Sequence, residues 1–308
     1  MRVVVTGAEG FVGPHLVEHL TECGDEVLAL PGPGSTSSAD RVVDVVDGIA
    51  LRKAIAPFAP DALINLAGVS SVSQSHAMPV ETFRVNLLGV INLCAVMRDA
   101  APKARLLVVG SGEMYGLGRP GIRAVESDPL EPTSPYAAAK VGAEIAAFAF
   151  RRSNGLDVVA ARPFNHLGRG QRTDFSVPSF ARQLEDVRVR GGLGVLSVGN
   201  LSSVRDFSHV RDVVAAYRLL IERGVSGEAY NVCSGEGRTM RSIVEELIVV
   251  SGLDTRIELD PERVRPVDIP SLVGDPSRLR ALGWKPKHAI REALADVLSE
   301  ARSRLDPR

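Results

Sequence analysis

Tyr136-Ala-Ala-Ala-Lys140 sets a phenol and an ammonium four residues apart, a spacing that puts both on one face of a helix and lets them act on one proton. A phenol with its ordinary pKa of about 10 is a poor acid-base catalyst near neutrality, but an ammonium one turn away favours the phenolate. Tyr136 is therefore expected to move the proton and Lys140 to tune it. A third group, Ser111, follows the apolar run Ala104 to Gly110. The Tyr136–Lys140 pair can move one proton to or from an oxygen. The bare spacing also occurs on ordinary exposed helices, so the surrounding elements must decide.

Those elements begin at the N-terminus. Residues 2 to 6 are apolar and β-branched, and Gly7, Gly10 and Gly13 lead into helical spacing from His15 to Leu20, with the next strand at Glu26 to Leu30. Glycines are wanted in such a turn because a backbone without Cβ can bend tightly, let a pyrophosphate approach and aim a helix N-terminus at its charge. The stretch from Arg41 to Asp47 is expected to be a short strand ending in carboxylates. Asp61 to Asn65 reads as a buried strand that opens into the small-residue turn Leu66-Ala67-Gly68. Long helical patterns cover 79 to 99 and 136 to 152, and strands are expected at 104 to 110 and 157 to 162.

Strands alternating with helices imply an α/β fold, a Rossmann-type doubly wound parallel sheet whose ligand lies beyond the strand C-termini. Ser111 and the Tyr136 helix fall on that edge. After Arg162 the alternation loosens into the donor-rich loop Pro163 to Arg172, and the second half reads as a smaller α/β cap. The expected division gives residues 1–162, with returning segments near 203–235, to a dinucleotide-binding domain, and 163–202 with 236–308 to a substrate-binding portion.

With 308 residues the chain can bury a large core without disulfides or metals. Cys23, Cys94 and Cys233 lie far apart with no C-x-x-C, so no metal site is expected and a reducing cytoplasm is the default. The N-terminus enters a strand directly, without the pattern of a signal peptide, and no apolar run is read as approaching a membrane span. Basic and acidic side chains number 36 and 37, leaving no global field for nucleic acid or an anionic membrane. An anionic ligand must be held by local groups.

Gly7, Gly10, Gly13, Ser111, Tyr136 and Lys140, in this order and on these elements, make the chain resemble the extended short-chain dehydrogenases/reductases, in the branch acting on nucleotide sugars. The likeness runs end to end. It implies that Ser111, Tyr136 and Lys140 form a catalytic triad, with Lys140 also holding the nicotinamide ribose. It further implies cofactor contacts at Gly7, Gly10, Phe11, Val12, Gly13, Asp44, Val45, Leu66, Ala67, Gly68 and Pro163, and a structural role for Asn86. Finer strings, Ser111-Gly-Glu-Met-Tyr-Gly, Ala161-Arg-Pro-Phe-Asn-His and Arg205-Asp-Phe among them, look like those of GDP-6-deoxy-4-keto-mannose reductases. The resemblance implies reduction of the C4 ketone of GDP-4-keto-6-deoxy-D-mannose to GDP-D-rhamnose.

Gly112 favours a reductase. Reduction needs a hydride donor and one proton donor, whereas dehydration also needs a base and an acid beside the triad, and Gly112 offers no side chain. Glu113 keeps a GDP-mannose 4,6-dehydratase open as the alternative catalytic reading. Outside catalysis, an NAD(P)-sensing regulator on the same fold is opposed by the intact triad. By resemblance Asn165, Arg205, Arg265 and Asp268 would meet the diphosphate, sugar or ribose, while His166 reads as a wall residue. Leu30 is followed by Pro31 and Gly32, so the acidic signature for NAD at the end of the second strand is missing. Glu9 would repel a 2'-phosphate only if it points there. The balance tilts slightly to NADP(H), with NAD(H) also usable. The alanine- and valine-rich helices suit a homodimer, with a tetramer as the next assembly.

Overall fold

The computed structural model describes residues 1–35, 42–191, 193–264 and 269–305. The first half runs β1 (Arg2–Thr6), α1 (Val12–Glu22), β2 (Glu26–Leu30), α2 (Gly48–Phe58), β3 (Ala62–Asn65), α3 (Val72–Ala77), α4 (Pro79–Phe83), α5 (Gly89–Ala100), β4 (Arg105–Val109), α6 (Pro135–Asn154) and β5 (Asp157–Pro163). The second half continues with β6 (Asn165–Leu167), α7 (Ser176–Arg190), β7 (Gly194–Val198), β8 (Val204–His209), α8 (Val210–Arg223), β9 (Ala229–Val232), β10 (Gly237–Thr239), α9 (Met240–Ser251), β11 (Thr255–Leu259), β12 (Ser271–Leu272), α10 (Ser277–Ala281) and α11 (Ile290–Leu305).

Six parallel strands form the main sheet in the order β2-β1-β3-β4-β5-β9. The near-continuous apolar runs of its strands follow from burial on both faces. Val3, Val5, Ile64, Leu107 and Val159 pack with Leu16 and Leu20 of α1 and with Val213 and Tyr217 of α8. Val4, Leu63, Leu106 and Val158 pack on the opposite side with Leu51 and Ile55 of α2 and with Leu93 and Met97 of α5. Because β1 bonds to both β2 and β3, the order reverses there, and the crevice beyond their C-terminal ends is the place for a ligand.

Residues 42–46 form no strand, against expectation, and Arg41 lies outside the described residues. Local polar bonds win over extension there: Val43 N–H donates to Pro31 C=O at 2.9 Å, the Asp44 carboxylate takes Val46 N–H at 3.1 Å, and Asp47 caps α2. The helix expected over 79 to 99 is α4 and α5 joined by a π-helical turn, Arg84–Leu88. By length and composition this run, Pro79–Ala100, is apolar enough to cross a membrane, which the sequence reading did not anticipate. Its buried residues Val90, Leu93, Cys94 and Met97 belong to the core under the sheet.

The cap holds a second sheet, in which β8 bonds to β10, β12 and β6, and a parallel pair β7-β11. Its own core gathers side chains of α7, α9 and α11. The return to the main sheet begins with α8, since β8 itself pairs within the cap. A small cluster of Tyr115, Ala124, Phe164, Cys233 and Leu272 joins the two cores.

Candidate active site

The glycine turn is shaped by close backbone approach. Gly7 has φ +66°, and a Cβ there would stand 2.7 Å from Ala67 N; one on Gly13 would stand 2.2 Å from the Ala8 carbonyl oxygen. Only glycine fits both demands at position 7. Phe11 at the start of α1 provides no side-chain cap; Gly13 N–H donates to the Gly10 carbonyl at 3.2 Å and Pro14 has no N–H, so an anion at this end would meet the N–H groups of Phe11 and Val12. Val12 packs beneath, against the sheet core. Opposite, Asn86 from the π-helical turn accepts from Val69 N–H at 2.7 Å and donates to Val69 C=O at 3.0 Å, clamping the turn that contains Leu66, Ala67 and Gly68. Thr6 donates to buried Asn65 at 2.6 Å, tying β1 to β3 at the switch point.

Helix α6 starts with Ser134, whose hydroxyl takes Ala137 N–H at 3.1 Å, and Pro135 in the first turn. This start fixes Tyr136. The Ser111 side chain is near enough to draw down the Tyr136 phenol, and Ser111 Oγ accepts from Glu113 N–H at 3.2 Å. Lys140 is buried, donates to the Val109 carbonyl at 2.8 Å, and lies 3.6 Å from where a Cβ on Gly68 would be. Ser111, Tyr136 and Lys140 thus meet beside the small-residue turn.

Electrostatics correct one expectation. Burial, with help from the Glu113 carboxylate, pushes the Tyr136 phenol up to about 12, against the pull of the Ser111 side chain. Burial alone brings Lys140 down to about 8. The ammonium stands 6.0 Å from the Tyr136 ring centroid and is engaged by Val109, so it does not bring the phenol into the neutral range. Desolvation outweighs an ammonium at that separation.

The remaining expected residues fall into two groups. Pro163 ends β5, buried, while Asn165 on β6 is exposed beside it. Phe164 between them lies against Gly112, where a Cβ would stand 3.0 Å from its ring, and against Gly274. Phe11 of the glycine turn stacks on His166, with centroids 5.6 Å apart, and the His166 Nδ1–H donates to Phe164 C=O at 2.9 Å. This suits a wall residue. Val45, in contrast, is buried against Gly89, and Asp44 stands 3.6 Å from Arg84. Arg205 donates to the Val204 and Ile269 carbonyls at 2.9 and 2.6 Å. Arg265 and Asp268 lie outside the described residues.

Sequence reasoning missed the parts of this site that support other parts. Phe164 stands inside the string Ala161-Arg-Pro-Phe-Asn-His, yet its ring seats the Ser111 turn on the cap. Asp206, fully buried, accepts from Ser234, Gly235 and Gly274 backbone N–H groups and from the Ser234 hydroxyl, and burial raises its carboxyl. An aspartate between Arg205 and an aromatic was the available signal. Among the described residues no group of three or more His, Cys, Asp or Glu is placed to hold a metal.

A six-stranded Rossmann sheet with a glycine turn, facing a Ser-Tyr-Lys set at its strand ends, defines the short-chain dehydrogenase/reductase class. The sequence profile of the GDP-mannose 4,6 dehydratase family matches residues 4–297, and the chain belongs to that family. It is 34% identical over 308 residues to the GDP-6-deoxy-D-mannose reductase of Pseudomonas aeruginosa, covering 99% of this chain and 98% of the relative. A GDP-6-deoxy-D-talose 4-dehydrogenase from Aggregatibacter actinomycetemcomitans is 28% identical, covering 91% and 90%. Among solved structures, that of RMD from Pseudomonas aeruginosa complexed with NADPH superposes with TM-score 0.88 at 33% identity, covering 98% of this chain and 99% of the other. The NAD complex of UDP-glucose 4-epimerase from Thermus thermophilus gives 0.86 at 32%, with coverage of 98% and 99%.

Proposed function

We propose that this protein reduces the C4 ketone of GDP-4-keto-6-deoxy-D-mannose to GDP-D-rhamnose with NADPH or NADH. The observation that carries the reading is the end-to-end likeness to a GDP-6-deoxy-D-mannose reductase, at 34% identity over 99% of the chain. The site supports it. Held near 12, the Tyr136 phenol keeps its proton at neutral pH, which is the form a reduction consumes. The glycine cradle at Gly7, Gly10 and Gly13, the uncapped start of α1 and buried Lys140 fit a nicotinamide dinucleotide, which when bound supplies the hydride.

The chain's own part is to hold the ketone and move one proton. Ser111 and Tyr136 donate hydrogen bonds to the C4 oxygen. With the hydride that a bound nicotinamide would supply to carbon, the C4 oxygen would take the Tyr136 proton, and the phenolate would regain one from water. The net change is ketone, NAD(P)H and a proton to alcohol and NAD(P)+. Lys140 would hold the ribose and offset the phenolate charge while protonated. Asn165 and Arg205, with Arg265 and Asp268, are assigned to the diphosphate, ribose and sugar. NADP(H) is favoured slightly, with NAD(H) usable.

We divide the chain into a cap of 163–202 and 236–308 and a nucleotide-binding part of 1–162 with the return near 203–235; Phe207 of the return packs in the cap core, and Leu279 and Trp284 pack in the main-sheet core. We assign the enzyme to the cytoplasm as a homodimer. Val80 and Ile145, 82% and 57% exposed on α4 and α6, mark an apolar face for the second copy.

Purified protein mixed with the ketosugar should oxidise NADPH or NADH stoichiometrically; no oxidation with either rejects the reading. A second reading, GDP-mannose 4,6-dehydratase, is favoured by Glu113, whose charge acts on Tyr136, and by the family profile. It predicts consumption of GDP-mannose with no net consumption of nicotinamide.

A further inference from the structure

Three segments that carry active-site groups converge on one buried guanidinium. Arg162, 5% exposed, donates from Nε and Nη2 to the two carboxylate oxygens of Glu144 at 3.0 and 2.5 Å, and from Nη1 to the Tyr115 hydroxyl at 2.8 Å and the Glu126 carbonyl at 3.0 Å. The Tyr115 hydroxyl donates to Asn231 Oδ1 at 2.7 Å, and Asn231 Nδ2 donates to the Ala124 carbonyl at 2.8 Å. Each partner has a telling address. Glu144 lies four residues after Lys140 and eight after Tyr136, on the same face of α6. Tyr115 closes the short turn that Ser111 opens. Arg162 itself stands three residues before Asn165.

The packing of α6 says why such a clamp is needed. Four of the side chains that the helix buries are alanines, Ala137, Ala139, Ala143 and Ala147, of which Ala143 and Ala147 join the core under the sheet with Phe148 and Phe150 packed against it. Alanines allow close approach but define the rotation and translation of a helix weakly. The placing of Tyr136 on α6 against Ser111, which opens the turn after β4, depends on that rotation and translation. A bidentate arginine-carboxylate pair defines them well, because both groups are planar and the two bonds are parallel.

We propose that Arg162 is a positioning residue for the proton-donating pair: through Glu144 it sets the register of α6, and through Tyr115 it sets the turn that begins at Ser111. It touches no reacting atom. The inference rests on the proposed reduction for its kinetic consequence, but its structural consequence is independent of the substrate.

The test replaces the ion pair as a unit, since removing one partner would strand the other's charge in the interior. Arg162→Met/Glu144→Met keeps approximate side-chain length without either charge. Thermal unfolding and fluorescence titration with NADPH establish that the variant folds and binds cofactor. Crystal structures of the variant and the unaltered protein should then show the Tyr136 hydroxyl displaced relative to Ser111 Oγ by about 1 Å. The kcat should fall about tenfold to a hundredfold, as for a displacement of about 1 Å, with KM for the nicotinamide within about twofold. A merely structural role would lower the unfolding temperature and leave kcat and the hydroxyl positions as they are; that result overturns the proposal. Should the double variant fail to fold, Tyr115→Phe keeps the ring against Phe164 and deletes only the hydroxyl link. It should lower kcat by about threefold with the Tyr136 hydroxyl displaced relative to Ser111 Oγ, and unchanged kcat and hydroxyl positions refute the idea. If the wild-type protein reduces no ketosugar, the substrate reading falls, while the two crystal structures still decide the inference.

Discussion

The pH dependence of kcat/KM should have an alkaline limb near pH 8, and Lys140 should cause it. Burial without a carboxylate partner brings the ammonium from 10.5 down to about 8, equivalent to about 3 kcal/mol of preference for the neutral amine. Tyr136, near 12, keeps its proton throughout the accessible range. The two groups therefore predict different limits. If the limiting event were loss of the phenol proton, the rate would hold to about pH 12. If a charged Lys140 is required, half the free enzyme is competent at about pH 8, and kcat/KM falls tenfold for each further pH unit. The sign follows from the lowered value: the charged form is complete well below 8 and is lost as pH rises through it. Initial rates with saturating nicotinamide and limiting ketosugar, from about pH 6 to pH 10, provide the profile. Lys140→Met should be slow and flat over the same range. A wild-type profile that stays level to pH 10, or a limb that survives in Lys140→Met, would refute the assignment.

Tyr136→Phe should lower kcat by about 10²- to 10⁴-fold while retaining NADPH binding by fluorescence titration, since only the proton donor is lost. Gly7→Ala sets a Cβ 2.7 Å from Ala67 N at φ +66°; it should destabilise the fold by about 1–3 kcal/mol and weaken cofactor binding, read by calorimetry. Glu9 accepts the Ser35 hydroxyl just beyond β2, so Glu9→Gln should raise affinity for NADPH relative to NADH by about threefold, measured as a ratio of dissociation constants. Val80→Asp/Ile145→Asp should give monomers by light scattering where the unaltered chain gives dimers.

Much of this molecule is legible in its sequence because the relevant physics is local. A doubly buried strand must be apolar along its length, as β1 and β4 are, and a turn at positive φ wants glycine, as at Gly7. The four-residue spacing of Tyr136 and Lys140 places them on one helical face wherever that helix goes. Those regularities, with the motif order, determined the Rossmann sheet and put Ser111 and the Tyr136 helix at the C-terminal edge of its strands.

What needed the tertiary structure is whatever depends on burial and on partners distant in sequence. The residues before Asp47 read as a strand by composition, and a carbonyl from Pro31 with the Asp44 carboxylate decided otherwise. Spacing alone suggested that Lys140 activates Tyr136; desolvation of both groups, and the Val109 carbonyl that engages the ammonium, reverse the direction for the phenol. Phe164, Asp206 and Arg162 looked like parts of a string until β5, α6 and the cap were brought together around them. The Tyr136–Lys140 spacing is a property of one helix, whereas the protonation states on which its chemistry depends belong to the folded interior.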